Sequence, residues 1–491
     1  MKIRMIKYFA IICMLSLTSF QGYAQSGFVF HYSTLNDEHP NDIIETSDGG
    51  FIITVSIGTY PAPYQTLLIR LNKYGDTMVT RYISLIPGTC NINKIIKLDN
   101  GTFTGIGSKH ISTGEARLWL LTITDSLSII SDTNYHTDFN IIGTLFGFLD
   151  HFHNLIVCGS ACPSGSSYNE HPFVFKFSQS SDSLFSHYYT NPFEQYAFSM
   201  IEKPDTTGYL MSIWGKYYTQ TNSPSQFLTM DYSFNVLHID SVPGRLDLYL
   251  NTKKINDHEL FVTGKRWFDN IQPQTDKLGI LKIDSACHIK AEQFLGPDDT
   301  VSYPAYNTNL DFLNTQNIFL GGILNQDWGG IFSYNFSYIL LSKFDSSLNL
   351  TWLKYFGGDQ YYMVWSVIAT TDGGCIIGAS NNDYSTMGEQ RDVYILKVDS
   401  NGLITGIHQP PTNNGNKTLV YPNPGQDLLN LETQQENLVF HLYDIMGMEV
   451  CNKYLIPGQN VLQIQNLNSG IYIYKIVKNS QMIECGKWIK E

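Results

Sequence analysis

A repeat with a period of about 53 residues constrains the fold of this chain more than any other feature of its sequence. Seven apolar runs, among them LLIRLN, ILKID and ILKVD, stop at a small polar or acidic residue, and the stops lie 53, 53, 53, 53, 61 and 54 residues apart. Short Asp, Asn and Ser side chains bind nearby backbone amides and so begin turns. The spacing therefore predicts seven copies of one structural unit, which end at Asn72, Asp125, Ser178, Asp231, Asp284, Asp345 and Asp399.

Each unit has the pattern of short antiparallel strands. Alternating apolar and basic residues in runs such as ILKVD predict strands with one face against a neighbouring sheet. An earlier apolar run precedes each of them, and in TSDGGFIITVS at 46–56 and TTDGGCIIGAS at 370–380 an Asp-Gly-Gly hairpin turn leads into that run. A fourth strand follows the third. Four strands in about 53 residues, repeated seven times, predict an all-β fold: a seven-bladed β-propeller over residues 26–408.

The sequence also predicts how the ring of blades closes. Residues 28–32, FVFHY, resemble a fourth strand, yet no first three strands precede them. We expect this segment to complete the seventh blade, which would join the two ends of the ring and remove an exposed edge. The segment LITGI at 403–407 is the alternative source of that strand.

The N-terminus has the features of a secretory signal peptide, residues 1–24. Lys2, Arg4 and Lys7 precede a short apolar run, which small residues follow. Neither this run nor any later segment approaches the roughly 20 apolar residues of a membrane helix, so we expect no transmembrane segment in the mature protein. Removal of the peptide shifts the formal charge from −13 to −16, and such an acidic surface makes nucleic acid an unexpected partner.

The composition changes near residue 409. The Pro-rich polar stretch 409–417 is predicted to be a linker. Residues 418–491 lack the repeat and show short alternating strands, which predict a small immunoglobulin-like β-sandwich. Its motifs are YPNP followed by LLNL, LYDIMGMEV, LNSGIYIYKI and a basic terminus, and the residues that carry them are Tyr421, Pro422, Asn423, Pro424, Gly447, Gly470, Tyr472, Lys487 and Lys490.

In this order at the C-terminus, these motifs resemble the type A C-terminal sorting domain of type IX secretion cargo. The resemblance implies export through the periplasm, followed by passage through an outer-membrane translocon that recognises the folded domain. It also implies a cell-surface sortase as a partner and a secreted or cell-surface location. The upstream repeats are similar to those of uncharacterised exported propellers with the same tail, which implies no activity.

The sequence shows no set of catalytic residues. The nearest match to a sialidase Asp box, DSSLNLTW at 345–352, has the wrong spacing, and no GxSxG, HExxH or phosphate-binding glycine loop occurs. His151 and His153 in DHFHN are interpreted as a solvated turn rather than as metal ligands. We therefore predict no catalytic residue, no metal and no cofactor.

Aromatic residues are the remaining candidates for ligand contacts. Most tryptophans, Trp365 among them, lie in or beside predicted strands and are interpreted as packing between blades. Trp267 and Trp328 follow second strands, and we predict them as ligand contacts. The favoured function is a non-enzymatic binding or adhesion module for a glycan or protein. The alternatives are a glycan-active hydrolase or lyase, which two carboxylates about 5 to 10 Å apart would favour, and a purely structural surface component.

Overall fold

The computed structural model describes residues 27–59, 64–111, 116–137, 139–163, 170–190, 194–216, 225–240, 245–268, 275–327, 335–385, 390–404, 418–421, 425–444, 447–478 and 481–490. These residues form strands and turns without a helix, so the predicted all-β class is confirmed. The predicted signal peptide and linker lie outside them. In these ranges no helix is long and apolar enough to cross a membrane.

Within the described residues, the strands up to residue 398 form seven antiparallel sheets, numbered 1 to 7, and those after residue 418 form sheets 8 and 9. In chain order the strands are β1 (Phe28–Tyr32), β2 (Asp37–Glu45), β3 (Phe51–Gly58), β4 (Tyr64–Leu71), β5 (Thr77–Ile83), β6 (Gly88–Lys97), β7 (Phe103–Ile111), β8 (Ala116–Ile123), β9 (Ile129–Tyr135), β10 (Phe139–Leu149), β11 (Leu155–Pro163), β12 (His171–Phe177), β13 (Ser183–Tyr188), β14 (Glu194–Glu202), β15 (Tyr209–Lys216), β16 (Gln226–Met230), β17 (Val236–Asp240), β18 (Leu248–Lys254), β19 (Glu259–Phe268), β20 (Thr275–Asp284), β21 (Ile289–Leu295), β22 (Ser302–Pro304), β23 (Leu310–Asp311), β24 (Ile318–Leu324), β25 (Tyr338–Phe344), β26 (Leu350–Gly357), β27 (Tyr361–Ala369), β28 (Cys375–Asn382), β29 (Asp392–Val398), β30 (Leu419–Tyr421), β31 (Leu428–Thr433), β32 (Leu438–Tyr443), β33 (Glu449–Leu455), β34 (Gly458–Gln463), β35 (Gly470–Lys478) and β36 (Gln481–Lys490).

Sheets 1 to 5 share one topology, and sheets 6 and 7 are variations of it. Sheets 1 to 5 are meanders of consecutive strands, β2 to β5, β6 to β9, β10 to β13, β14 to β17 and β18 to β21. Sheet 6 contains β22 to β26, with β22 and β23 both paired to β24. Sheet 7 contains β27, β28 and β29, and β1 pairs antiparallel with β29, with Phe28 opposite Lys397 and Tyr32 opposite Val393. The predicted closure by residues 28–32 is therefore confirmed.

The seven sheets pack on one another in a closed cycle. A cluster of buried apolar side chains lies between each sheet and the next, and another lies between sheet 7 and sheet 1. In that last cluster, Phe28, Ile43 and Phe51 pack with Ile376 and Ile395. The second and third strands are largely buried, whereas fourth strands such as β5 and β13 are mostly exposed. The described part of sheets 1 to 7 thus has seven small cores rather than one large core.

The two Asp-Gly-Gly turns have the same internal chemistry. In each turn the aspartate accepts hydrogen bonds from the threonine hydroxyl two residues before it and from the glycine amide two residues after it. Asp48 also binds the Arg70 guanidinium at 2.7 Å, and Asp372 binds the Lys397 ammonium at 2.8 Å. Arg70 and Lys397 are buried basic residues of third strands, so in both units the acidic turn neutralises a buried charge.

The residues at the strand ends act as the repeat predicts, with one correction. In five units, the side-chain oxygen of Asn72, or of the equivalent aspartate, accepts from the amides two and four residues later. In the second unit this position is Thr124, whose hydroxyl accepts from the Ser128 amide, and not the predicted Asp125. The prediction was wrong by one residue because a threonine hydroxyl can begin such a turn as well.

The C-terminal region forms two further sheets with a common core. Sheet 8 has the order β30, β31, β34, and sheet 9 has the order β33, β32, β35, β36. Leu431 of sheet 8 lies in one buried cluster with Phe440, Tyr474, Ile476 and Trp488 of sheet 9. These two sheets therefore bury their apolar faces in one core.

Candidate binding cavity

The site is formed by the first strands of the sheets, which share an irregularity at the same place. In five of the seven sheets the first strand carries one residue more than its partner strand opposite, a β-bulge that bends the strand and redirects side chains. The extra residues are Asn41, Asn93, Phe198, Leu250 and Trp365. In sheets 3 and 6 longer insertions occupy this place, residues 143–145 and 305–309. Because first strands of neighbouring sheets contact one another, these insertions meet.

A cavity of about 330 Å³ opens where the bulged strands meet. Its described lining comes from sheets 3 to 7 and combines aromatic rings with a few polar groups. It includes Glu170, whose backbone carbonyl accepts from the Gln195 amide of sheet 4 at 2.8 Å. The aromatic residues are Phe146, Tyr196, Phe198, Tyr303, Tyr306 and Trp365, and the polar side chains are Ser160, Glu170 and Asn307. This composition is typical of small-molecule sites, which are mostly apolar with few oriented polar groups.

Trp365 is held in place from several sides. Its indole Nε1 donates to Ser380 Oγ at 3.0 Å, and the His39 ring stacks on it with 4.6 Å between centroids and 25° between planes. Burial lowers the pKa of His39 well below its usual value, so the imidazole is neutral near pH 7. The Arg391 guanidinium carbon lies 5.8 Å from the indole ring. The indole is therefore held in one orientation and is partly buried.

Two tyrosines continue this aromatic surface. Tyr306 lies 5.3 Å from Trp365, and Tyr303 lies 5.5 Å from Tyr306, measured between ring centroids. The Tyr306 hydroxyl accepts from Gln326 Nε2 at 3.2 Å. Burial raises the pKa of both tyrosines, so their hydroxyls stay protonated and can donate hydrogen bonds. The three rings are neighbours with tilted planes, and we call them the aromatic wall: Tyr303, Tyr306 and Trp365.

A chain of amide hydrogen bonds runs from the cavity to sheets on the other side of the ring. Asn307 lines the cavity, and its Nδ2 donates to the Asn41 carbonyl at 2.8 Å. Asn41 Nδ2 donates to the Ile92 carbonyl at 2.9 Å, and Asn251 Nδ2 donates to the Asn307 carbonyl at 3.1 Å. Sheets 5, 6, 1 and 2 are thereby connected. These bonds fix the position of Asn307 before any ligand binds.

The charge of the cavity comes from one residue. Among the described lining residues, Glu170 is the sole ionisable carboxylate, and none is a lysine or arginine. A pair of carboxylates with the separation that glycosidases use is therefore not found in this part of the chain. The arrangement can bind a ligand by stacking and hydrogen bonding.

The predicted contacts Trp267 and Trp328 stay predictions. The backbone of Trp267 pairs with Asp276 near the end of β19, and its side chain is outside the described part of the chain. Trp328 also lies outside the described residues. Trp365, interpreted from the sequence as packing between blades, is among the described residues that line the cavity. Trp365 is the extra residue of a bulge in a first strand, and the bulge changes the direction of its side chain. The sequence pattern did not reveal this bulge.

The predicted histidine turn is observed. His151 and His153 lie in the turn between β10 and β11, where His151 binds Glu202 and His153 Nδ1 lies 2.6 Å from Asp99. Because the two rings have different partners, they do not converge. Within the described residues, no group of three His, Cys, Asp or Glu side chains is placed to hold a metal.

The residues of the sorting motifs lie in strands and turns of sheets 8 and 9. Tyr421 ends β30 and is 38% exposed, whereas Pro422, Asn423 and Pro424 lie outside the described residues. Gly447 has φ +79°, which suits glycine in the turn before β33.

The later motif residues belong to the last two strands. Tyr472 is buried, and its hydroxyl donates to the Asn468 carbonyl at 2.8 Å. Gly470 begins β35 opposite Lys490, and Lys487 lies opposite Ile473. Lys490 is also buried, and its ammonium donates to the Gln426 carbonyl. Tyr472 and Lys490 therefore have structural contacts within the domain.

The chain is an all-β protein built of antiparallel sheets, most of them four-stranded, with a separate C-terminal region. The family model of the secretion system C-terminal sorting domain matches residues 419–491. The chain thus carries a type IX secretion C-terminal sorting domain, and the protein is exported to the cell surface or the extracellular space. No curated protein sequence matches the chain.

Several solved structures resemble the chain at low identity. PorZ, a surface component of the type IX secretion system of Porphyromonas gingivalis, is 9% identical, with 90% of this chain and 69% of that chain covered and a TM-score of 0.34. The polysaccharide lyase Uly1 is 11% identical, with 78% and 94% covered and a TM-score of 0.43. The β-propeller domain of the Trilobed protease from Pyrococcus furiosus is 9% identical, with 73% and 95% covered and a TM-score of 0.41. These resemblances assign no activity to the chain.

Proposed function

We propose that residues 26–408 form a seven-bladed β-propeller, with each of sheets 1 to 7 as one blade. The closed cycle of apolar cores and the pairing of β1 with β29 support this architecture. We further propose that residues 418–491 form an immunoglobulin-like sandwich of sheets 8 and 9, joined to the propeller by the linker 409–417. A signal peptide at residues 1–24 would start export.

We infer that the propeller is a non-enzymatic binding or adhesion module at the cell surface, with a glycan or protein as its ligand. The observation that carries this inference is the cavity lined by the aromatic wall, Ser160, Glu170 and Asn307. Its groups are held by hydrogen bonds and ring stacking within the protein, and preorganised groups lose little entropy when a ligand binds. The type IX translocon and the sortase are the partners proposed for the sorting domain.

A glycan-active hydrolase or lyase is the alternative function. Glu170 would be its acidic group, but a second carboxylate is missing from the described lining. Incubation of the mature protein with each glycan that it binds, followed by mass spectrometry of the sugar, distinguishes the two functions. Intact glycan supports the binding module, and shortened or unsaturated products support the enzyme.

A screen of the mature protein, residues 25–491, on glycan arrays and on surface proteins tests the proposed site. We expect Tyr306→Ala to weaken binding of any retained ligand by about tenfold or more, since it removes the central ring of the aromatic wall. Tyr355→Ala is the matched control, because Tyr355 lies on the fourth strand β26 and is 43% exposed. Equal binding by both variants would refute the site, and loss on Trp267→Ala or Trp328→Ala would favour the site predicted from the sequence.

A further inference from the structure

We propose that the cavity binds the uncharged terminal unit of a glycan, a neutral or N-acetylated pyranose, which stacks on the aromatic wall. This inference rests on the proposed binding function and specifies the ligand. The sugar's polar edge would face Ser160, Glu170 and Asn307, on the remaining lining of the same cavity.

The aromatic wall matches the shape and chemistry of a pyranose. A pyranose ring carries its C–H groups on one face and its hydroxyls around the edge, so it can cover an aromatic surface while its hydroxyls remain available. Trp365, Tyr306 and Tyr303 are each partly exposed, and successive ring centroids lie 5.3 and 5.5 Å apart, with the ring planes tilted by 36° and 42°. Such a surface provides the stacking contact without any movement of the protein.

The polar groups around the wall can bind hydroxyls. Ser160 Oγ accepts from the Ala197 amide at 2.9 Å, which leaves its O–H as a donor. Asn307 uses its Nδ2 for the Asn41 carbonyl, so its Oδ1 is an acceptor that no described donor reaches. Glu170 supplies a carboxylate acceptor. A sugar hydroxyl both donates and accepts, and it can therefore satisfy these unlike partners at once.

The charge of the cavity selects against acidic sugars. A uronic acid, a sialic acid or a sulfated sugar would bring a second negative charge near Glu170, and none of the described lining residues is a lysine or arginine that could bind the added acidic group. A quaternary ammonium would suit the rings and Glu170 but has no hydrogen-bonding group for Ser160 and Asn307. The neutral sugar uses all three kinds of contact.

The size of the cavity supports a terminal unit rather than a long internal segment. Its volume of about 330 Å³ lies at the lower end of the range for ligand pockets, which is roughly 300 to 1,000 Å³. Sheets 1, 2, 5 and 6 are connected through Asn41, Asn251 and Asn307 behind it, so a chain could not thread through without breaking those bonds.

Isothermal titration of the full mature protein with defined sugars tests the proposal. The probes are methyl glycosides and trisaccharides of glucose, galactose, mannose and N-acetylglucosamine, their uronic-acid counterparts, and tetramethylammonium. We expect at least one neutral probe to bind at least tenfold more tightly than its uronic-acid counterpart. Trp365→Phe should weaken that binding about three- to tenfold, because a smaller ring remains, and Tyr355→Phe should not change it.

Glu170→Gln provides the sharper test, since it keeps a hydrogen-bonding group and removes the charge. We expect this variant to bind the uronic-acid counterpart at least fivefold more tightly than wild type does, so that its preference for the neutral sugar falls. Tighter binding of the acidic probe or of tetramethylammonium by wild type, or no neutral probe bound at 10 mM, would overturn the inference. A different outcome is that no sugar binds, whereas a protein ligand from the screen binds wild type and does not bind Tyr306→Ala. In that case the binding function stands and the sugar specificity is wrong.

Discussion

The buried ion pair between Asp37 and Arg391 gives the most informative prediction about the architecture. Asp37 lies at the start of β2 and Arg391 just before β29, so the pair joins sheet 1 to sheet 7. Their side chains are 1% and 3% exposed, with Nη2 to Oδ2 at 2.6 Å and Nε to Oδ1 at 2.9 Å. The guanidinium helps to hold the pKa of Asp37 below its usual value against the effect of burial. We therefore expect Arg391→Met to destabilise the closed ring strongly.

The loss of stability in Arg391→Met depends on the hydrogen bonds that Asp37 retains. Loss of one partner of a buried ion pair costs about 3–5 kcal/mol, because a buried charge remains uncompensated. Asp37 retains hydrogen bonds from the Tyr64 hydroxyl at 2.6 Å and from the Arg391 backbone amide at 2.8 Å. We place the loss at the lower end of that range, about 3 kcal/mol. Asp37→Asn combined with Arg391→Met should cost about 2 kcal/mol less than the sum of the single changes, since neither charge remains.

Urea unfolding of the mature protein, followed by tryptophan fluorescence, measures these free energies. Lys254→Met is the matched control, because Lys254 and Asp257 form an exposed pair, at 3.0 Å and with 36% and 78% exposed side chains, for which less than about 1 kcal/mol is expected. A loss for Arg391→Met no larger than that of the control, or strict additivity in the double variant, would refute the reasoning.

Three further predictions concern pH, packing and export. Burial raises the pKa of Glu38 to about 7 from 4.5, so the folded state keeps a proton that the unfolded chain releases; stability should fall as pH rises from about 4.5 to 7, and Glu38→Gln should flatten that fall in urea unfolding. Gly374→Ala should destabilise by about 1–3 kcal/mol in the same assay, because a Cβ would lie 2.2 Å from the Val398 carbonyl, whereas Gly470→Ala meets nothing within 4 Å. Deletion of residues 418–491 should retain the protein in the periplasm, as cell fractionation would show, and normal surface display would contradict this.

The regular part of the fold could be predicted because its causes are local. The acidic turn, the apolar run and the polar stop recur within each unit, and each has one structural meaning. The sheets pack closely on one another: a Cβ on Gly321 in a second strand would lie 2.5 Å from Val367 Cγ2 in the next sheet. The closing strand 28–32 was predictable because it resembles a fourth strand, yet no first, second or third strand precedes it in the sequence.

The cavity could not be predicted because its causes are not local. Whether Trp365 packs between sheets or lines a cavity depends on one extra residue in its strand, and a bulge leaves no mark in the spacing of the apolar runs. Glu170 lies just before β12 of sheet 3 and Tyr306 lies between β22 and β23 of sheet 6, and only the closed cycle brings them to one cavity. The sequence therefore predicted Trp267 and Trp328, which stay predictions, and did not single out Glu170, Tyr306 or Trp365.

The structure of the mature protein in complex with the ligand selected by the array tests the central claim most directly. We expect ligand density in the cavity lined by sheets 3 to 7, with an apolar face of the ligand on Trp365 and Tyr306 and a hydrogen bond from the ligand to Glu170 or Asn307. Ligand bound on the outer strands or at the loops that carry Trp267 and Trp328, with this cavity empty, would contradict it.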